Sequence, residues 1–346
     1  MEQRMRLYKY DLVRAVSIAF VVAVHCHNYI DTSIPVLALV DRAIVTLFLV
    51  GNALFFMMSG RFNIKKREGD HAVAKYYLGK VRNILIPVVL FFFIRTVFND
   101  WGNLSFTTVI KDFIKNLTFA FYHTEYWFIY DLVGILLVAP MLSKMVLNMT
   151  RTEKTAFLAV GFGYNALAVT VSHFGYEFPW GYLFSNFFFI CTIGSFIEEY
   201  FVDVRRRRVL YIAAILSFAA TVYLTGHGGN RTLWETAPTY FIMAIGLYIA
   251  LLYHGEKSKP SCIVNFVAQQ SFNVYLIHVM IILGLIAVVP PVSGYASLLY
   301  AFVLFIVVFP LSVVAGKVAD LILVAPLKKL FDAIVPVWKL RAGHFK

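Results

Sequence analysis

The sequence predicts an all-α fold: a polytopic integral membrane bundle of about ten transmembrane helices, with both termini cytoplasmic. Three observations carry this. Apolar residues make up 60% of the 346-residue chain and charged residues 14%, about half the charged share of a soluble domain. The apolar residues fall in long continuous runs, and in a bilayer only helices or closed barrels satisfy the backbone; runs of this length select helices. The basic residues are segregated into alternate loops, as topology in a membrane demands.

Taken in order, the runs are Leu12–Ile30, Ile44–Ser59, Ile84–Phe98, Trp127–Val146, Ala156–Phe174, Trp180–Phe201, Val209–Thr225, Pro238–Tyr253, Ile263–Val289 and Ala296–Val318. Each is long enough to cross or nearly cross about 30 Å of hydrocarbon; the second and third are short. The first lacks a small-residue cleavage site and reads as a retained helix. With the N-terminus inside, 25 Lys and Arg lie in inner segments and 4, namely Arg42, Lys111, Lys115 and Arg231, in outer loops. A wrong helix count would spoil that asymmetry. The net charge of +12 is thereby explained by topology, and nucleic acid is not an expected partner; the lipid bilayer is.

Two loops and a tail stand apart. The inner loop GRFNIKKREGDHAVAKYYLGKVR is strongly basic, and the outer stretch from Asn99 to Tyr126 contains FTTVIKDFIKNLTFAFY, patterned like an amphipathic interfacial helix. After the membrane domain, residues 1–325, the tail 326–346 is Lys-bearing, Pro-interrupted and amphipathic, which suits the inner membrane surface. No internal repeat is visible. The three cysteines, Cys26, Cys191 and Cys262, have no paired spacing, so neither a disulfide framework nor a metal site is expected.

The first run carries ionisable residues at a depth where they are costly. Arg14 and His25 are eleven positions apart, so they fall within about 20° of each other on one helix face, about 16.5 Å apart along the axis. With Asp11 and Ser17 they form a polar stripe that should face the bundle interior. Arg14 reads either as a snorkelling anchor paired with Asp11 or as a functional cation. His25 reads either as a satisfied structural residue or as a neutral imidazole serving as general base. His27 points to another face and reads as interfacial.

Arg, ten residues, then His in the first helix resembles the acyltransferase-3 family of membrane acyltransferases. FFMMSG (Phe55–Gly60), KYYLGKVRNILIP (Lys75–Pro87), EYWFIYDLVGILLVAPML and NVYLIH (Asn273–His278) are similar to family stretches in the same order, over nearly the whole chain. Arg61 departs from the Phe usual after Ser-Gly. The resemblance implies transfer of a short acyl group, usually acetyl, from cytosolic acyl-CoA as co-substrate, with no bound cofactor, to a hydroxyl of an extracytoplasmic glycan or lipid-linked sugar. It also implies a multi-pass protein of a bacterial inner (plasma) membrane.

The residues suit that chemistry. Coenzyme A is polyanionic, and Arg61, Lys65, Lys66, Arg67, Lys75, Lys80 and Arg82 of the inner loop are expected phosphate partners, although the positive-inside bias alone also places cations there. His278 lies about 24 Å into the ninth run, near the level of His25. Arg95, Glu125 and Asp131 lie near the outer ends of their segments, where they could orient an imidazole or stabilise an oxyanion; a plain Arg95–Asp131 pair is the favoured alternative. Trp127 suits stacking on a sugar or anchoring at the interface. A carrier of a small polar solute, using the same intramembrane His, Arg and Asp, is the rival reading; such carriers are often built from repeats.

Overall fold

The computed structural model describes residues 2–69, 71–103, 105–118, 125–176, 186–226 and 237–335. Among them the regular structure is helical, and nine helical stretches are long and apolar enough to cross a membrane. The helices are α1 (Glu2–Cys26), α2 (Pro35–Phe48), α3 (Val50–Asn63), α4 (Ala72–Lys80), α5 (Ile86–Asn99), α6 (Phe106–Thr118), α7 (Trp127–Asn148) and α8 (Arg151–His173). There follow α9 (Asn186–Gly194), α10 (Val204–Gly226), α11 (Pro238–Lys257), α12 (Cys262–Val288), α13 (Ala296–Ala319) and α14 (Ala325–Ile334). The expected sixth run lies partly outside the described residues; its described part is α9 and a 3₁₀ turn at Ile197–Tyr200.

The second and third spans are longer than hydropathy alone suggests. α2 and α3 abut at Leu49 to give a 29-residue span, Pro35–Asn63, and α4 and α5 join to give a 28-residue span, Ala72–Asn99. Polar residues interrupt the apolar runs without ending the helices. Asp41 is buried against His27, in the 3₁₀ turn that follows α1, and Pro87 falls in the first turn of α5 just after a π turn at Val81–Leu85, where its missing N–H does least harm. A second π turn, Asp320–Val324, carries α13 into α14.

α1 is the axial element. It packs on α2, α3, α11, α12 and α13, and its apolar face (Val13, Ile18, Val21, Val22) is buried. Ser17, also buried, donates to the Val13 carbonyl at 2.7 Å, so the stripe leaves no orphaned hydroxyl there. α3 and α9 cross at backbone contact. A Cβ on Gly60 would overlap the Cys191 carbonyl, and one on Gly194 would overlap the Met57 backbone. Small residues permit this approach, which is how helices gain packing energy in lipid.

Candidate active site

α1 carries both ends of the site. At its first half, Arg14 Nη1 lies 3.4 Å from Asp11 Oδ1 and its guanidinium stands 4.9 Å from the Phe62 ring of α3. The spacing i, i+3 on one helix makes the ion pair, and the ring gives the cation a second neighbour. Eleven residues on, the His25 ring centroid is 4.9 Å from that of His278, at an interplanar angle of 59°. α1 and α12 pack together, which brings these two imidazoles into contact.

His278 is fully buried. Its Nδ1 is 2.8 Å from the Tyr275 carbonyl and 3.1 Å from that of Val274. Both are acceptors, so Nδ1 carries the proton and Nε2 the lone pair. That Nε2 is buried and has no hydrogen-bond partner among the described residues. The chain just before α7 fixes this stretch of α12. Tyr275 Oη donates to the Glu125 carbonyl at 2.5 Å, and Tyr126 Oη to that of Leu276 at 2.7 Å.

A cavity of about 500 Å³ opens between α1, α3, α4, α7 and α12. Arg14, Lys65, Lys75 and Lys80 line it along with the apolar Phe55, Phe128 and Tyr275. Tyr275 lies one helical turn from His278. Among the described residues none of the three lysines has a carboxylate within ion-pair distance, and Lys80 Nζ lies 5.1 Å over the Tyr76 ring. Their charge is therefore left for an anion.

The other expected site residues are dispersed. Arg61 is engaged by Tyr10 Oη at 2.9 Å and Glu198 Oε1 at 3.2 Å, away from this cavity. Lys66 pairs with Glu68 at 2.7 Å, both exposed. Arg82 makes two 2.7 Å bonds to Asp332 of α14. Arg95 pairs with Glu125 at 2.8 Å, not with Asp131, and also bonds Asn99; Asp131 sits exposed, more than a turn into α7. Trp127 lies 5.1 Å from the Phe187 ring and edge-on to Phe128. His27 is not interfacial: it is buried, with Nδ1 2.6 Å from Asp41 Oδ1.

Several lining residues went unremarked in the sequence. Phe62, Tyr76 and Tyr275 shape the cavity, yet an aromatic in an apolar run carries no signal of its own. Comparison with curated proteins and with solved structures yields no match. A family model described as an acyltransferase domain matches residues 7–317, a stretch that takes in Arg14, His25, His278 and every cation of the cavity. By that match the chain belongs to the acyltransferase-3 family and is a multi-pass membrane acyltransferase.

Proposed function

We propose that the protein is an O-acyltransferase of a bacterial inner membrane. It would move a short acyl group, acetyl in the simplest case, from cytosolic acyl-CoA to a hydroxyl of an extracytoplasmic glycan or lipid-linked sugar. The observation that carries this is the contact of His25 and His278 at 4.9 Å, with a cation-lined cavity ending one turn from His278. In this reading the lysines and Arg14 hold the phosphates, and the apolar end of the cavity receives the pantetheine arm. A second cavity of about 550 Å³, between α1, α2 and α13 beside His27, is lined mainly by apolar side chains; it suits a hydrocarbon tail and favours a lipid-linked acceptor.

His25 is the general base. It takes the proton of the acceptor hydroxyl as the oxygen attacks the thioester carbonyl; the C–S bond breaks, the ester forms, and CoA leaves with a proton returned from the imidazole. His278, its Nδ1 proton committed to carbonyls, presents a lone pair that can orient the His25 ring. Arg95 and Glu125 support the tyrosine clamp on α12 from behind.

The test is vectorial. In oriented, sealed proteoliposomes, acyl-CoA on the side of the basic loops should modify an acceptor enclosed only on the other side. His25→Ala should lose transfer by about 10²-fold or more while keeping wild-type thermal stability. Transfer only when both substrates share the basic side would defeat the across-membrane reading. Solute accumulation without ester formation would favour the carrier.

A further inference from the structure

Beside the first cavity is another basic one, of about 680 Å³, between the stretch that holds Lys65, Lys66, Arg67 and Gly69, the start of α4 and the last turns of α7. Lys65 lines both. Lys66, Arg67 and Lys144 add three more cations to the second. Its floor is built around one buried hydroxyl. Ser143 Oγ accepts from the Arg67 guanidinium at 2.7 Å and from the Lys65 amide at 3.2 Å, and donates to the Ala139 carbonyl at 2.7 Å.

Arg67 is thus held in place. Its Nη1 also reaches the Lys65 carbonyl at 3.2 Å, its Nη2 bonds the Asn63 carbonyl, and its guanidinium stacks 4.2 Å from the Tyr76 ring centroid. Every one of those partners is neutral. Three hydrogen bonds hold the guanidinium, and among the described residues no carboxylate lies within ion-pair distance of it. Among the described residues only Lys66 has a carboxylate within ion-pair distance, Glu68, and that pair is largely solvated, so it yields readily to a stronger anion. Topological bias would scatter cations over the inner surface; it does not require an arginine pinned by a buried serine into a concave site.

We infer that this second cavity is a phosphate-monoester site that takes the 3′-phosphate of the acyl-CoA nucleotide, with Lys65 shared between it and the diphosphate. The inference rests on the proposed CoA donor. A monoester carries close to two charges at neutral pH, against one on a lipid phosphodiester, and four converging cations suit the former. Lys144, from α7, joins the loop cations as a residue that selects the nucleotide end.

The experiment compares acetyl-CoA with acetyl-dephospho-CoA, which lacks only that phosphate, using the full chain in detergent. Wild type should show a KM about three- to tenfold lower for acetyl-CoA, and Lys144→Gln should bring the ratio toward one. Adenosine 3′,5′-bisphosphate should bind wild type more tightly than adenosine 5′-monophosphate does, and Lys144→Gln should erase the difference. Equal KM for the two donors, or a ratio untouched by Lys144→Gln, overturns the assignment. So does displacement of the bisphosphate by phosphatidylglycerol vesicles but not by phosphatidylcholine vesicles, which would assign the cavity to a lipid headgroup. Should no CoA thioester be a donor at all, the proposed function fails; the bisphosphate measurement still decides this site separately.

Discussion

Arg82 is the residue on which sequence and structure give the most divergent advice. It lies in the basic stretch, yet its Nε and Nη2 each stand 2.7 Å from an oxygen of Asp332, which ties α14 to the π turn within the third span. A charge-assisted hydrogen bond contributes about 1.5–3 kcal/mol when well shielded. Here the two side chains are 26% and 23% exposed, and fully exposed pairs contribute only about 0.2–1 kcal/mol. A coupling of about 1 kcal/mol follows, or about fivefold in the opening of α14. The assay is a double-mutant cycle of Arg82→Gln and Asp332→Asn, read as the rate of tryptic cleavage at Lys328 and Lys329. Each single variant should accelerate cleavage about fivefold and the pair no further, with the KM for acyl-CoA unchanged within about twofold. An Arg82→Gln protein with a tenfold higher KM, beside an Asp332→Asn protein cleaved at the wild-type rate, would refute the reasoning and return Arg82 to the proposed donor site.

Three other outcomes follow from the geometry. Arg14→Ala should raise the KM for acyl-CoA more than it lowers thermal stability, with Arg14→Lys restoring only part because a point charge replaces a planar fork; unchanged kinetics would leave Arg14 as a snorkelling anchor. Asp41→Ala breaks a buried 2.6 Å contact with His27 and should destabilise the protein by about 3–5 kcal/mol, seen as a large drop in Tm in detergent; a loss under 1 kcal/mol would show that water reaches the pair. The Ser33 hydroxyl, with the Gly294 and Ser33 amides, holds the Asp31 carboxyl below the usual carboxylate range. A lowered native pKa gives stability that is present above the unfolded value, near about 3.9, and lost as pH falls through the native one. Exchange of the Gly294 amide should therefore accelerate at the acid end in wild type, and Asp31→Asn should show no such step.

The spans were legible because a helix crossing lipid must be apolar over most of its length, and α1 was legible because its polar residues recur on one face. What one sequence does not carry is which charge meets which. Asp41 and Arg42 cut the second apolar run, and nothing local says that Asp41 finds His27 and is buried. Asp131 and Glu125 both lie near the outer start of α7; the turn leading into α7 favours Glu125, whose side chain reaches Arg95 of α5. The basic loop reads as one uniform patch, yet remote carboxylates sort it: Glu198 takes Arg61 and Asp332 takes Arg82, while Lys65, Lys75 and Lys80 find no carboxylate among the described residues. The His25–His278 contact was foreseen only as a shared depth; it takes the packing of α1 on α12 to make the two rings touch.

The α3–α9 crossing has a mechanical consequence. With carbonyl against Cα at Gly60 and Gly194, neither helix can slide or turn without collision, so the α3 wall of the first cavity, with Phe55, Met58 and Phe62, is a fixed jaw. The opposite wall is α4, which brings Lys75, Tyr76 and Lys80 and has no buried residue of its own. Its ties to α7 are hydrogen bonds from the Tyr76 and Tyr77 hydroxyls to the Leu136 and Leu137 carbonyls rather than buried apolar side chains, a condition for low local stability. Any widening that admits a ligand as bulky as a nucleotide thioester falls to α4 as the movable jaw. On the proposed reading, its lysines would then close on the phosphates of the donor, while Phe55 and Phe62 of α3 stay still.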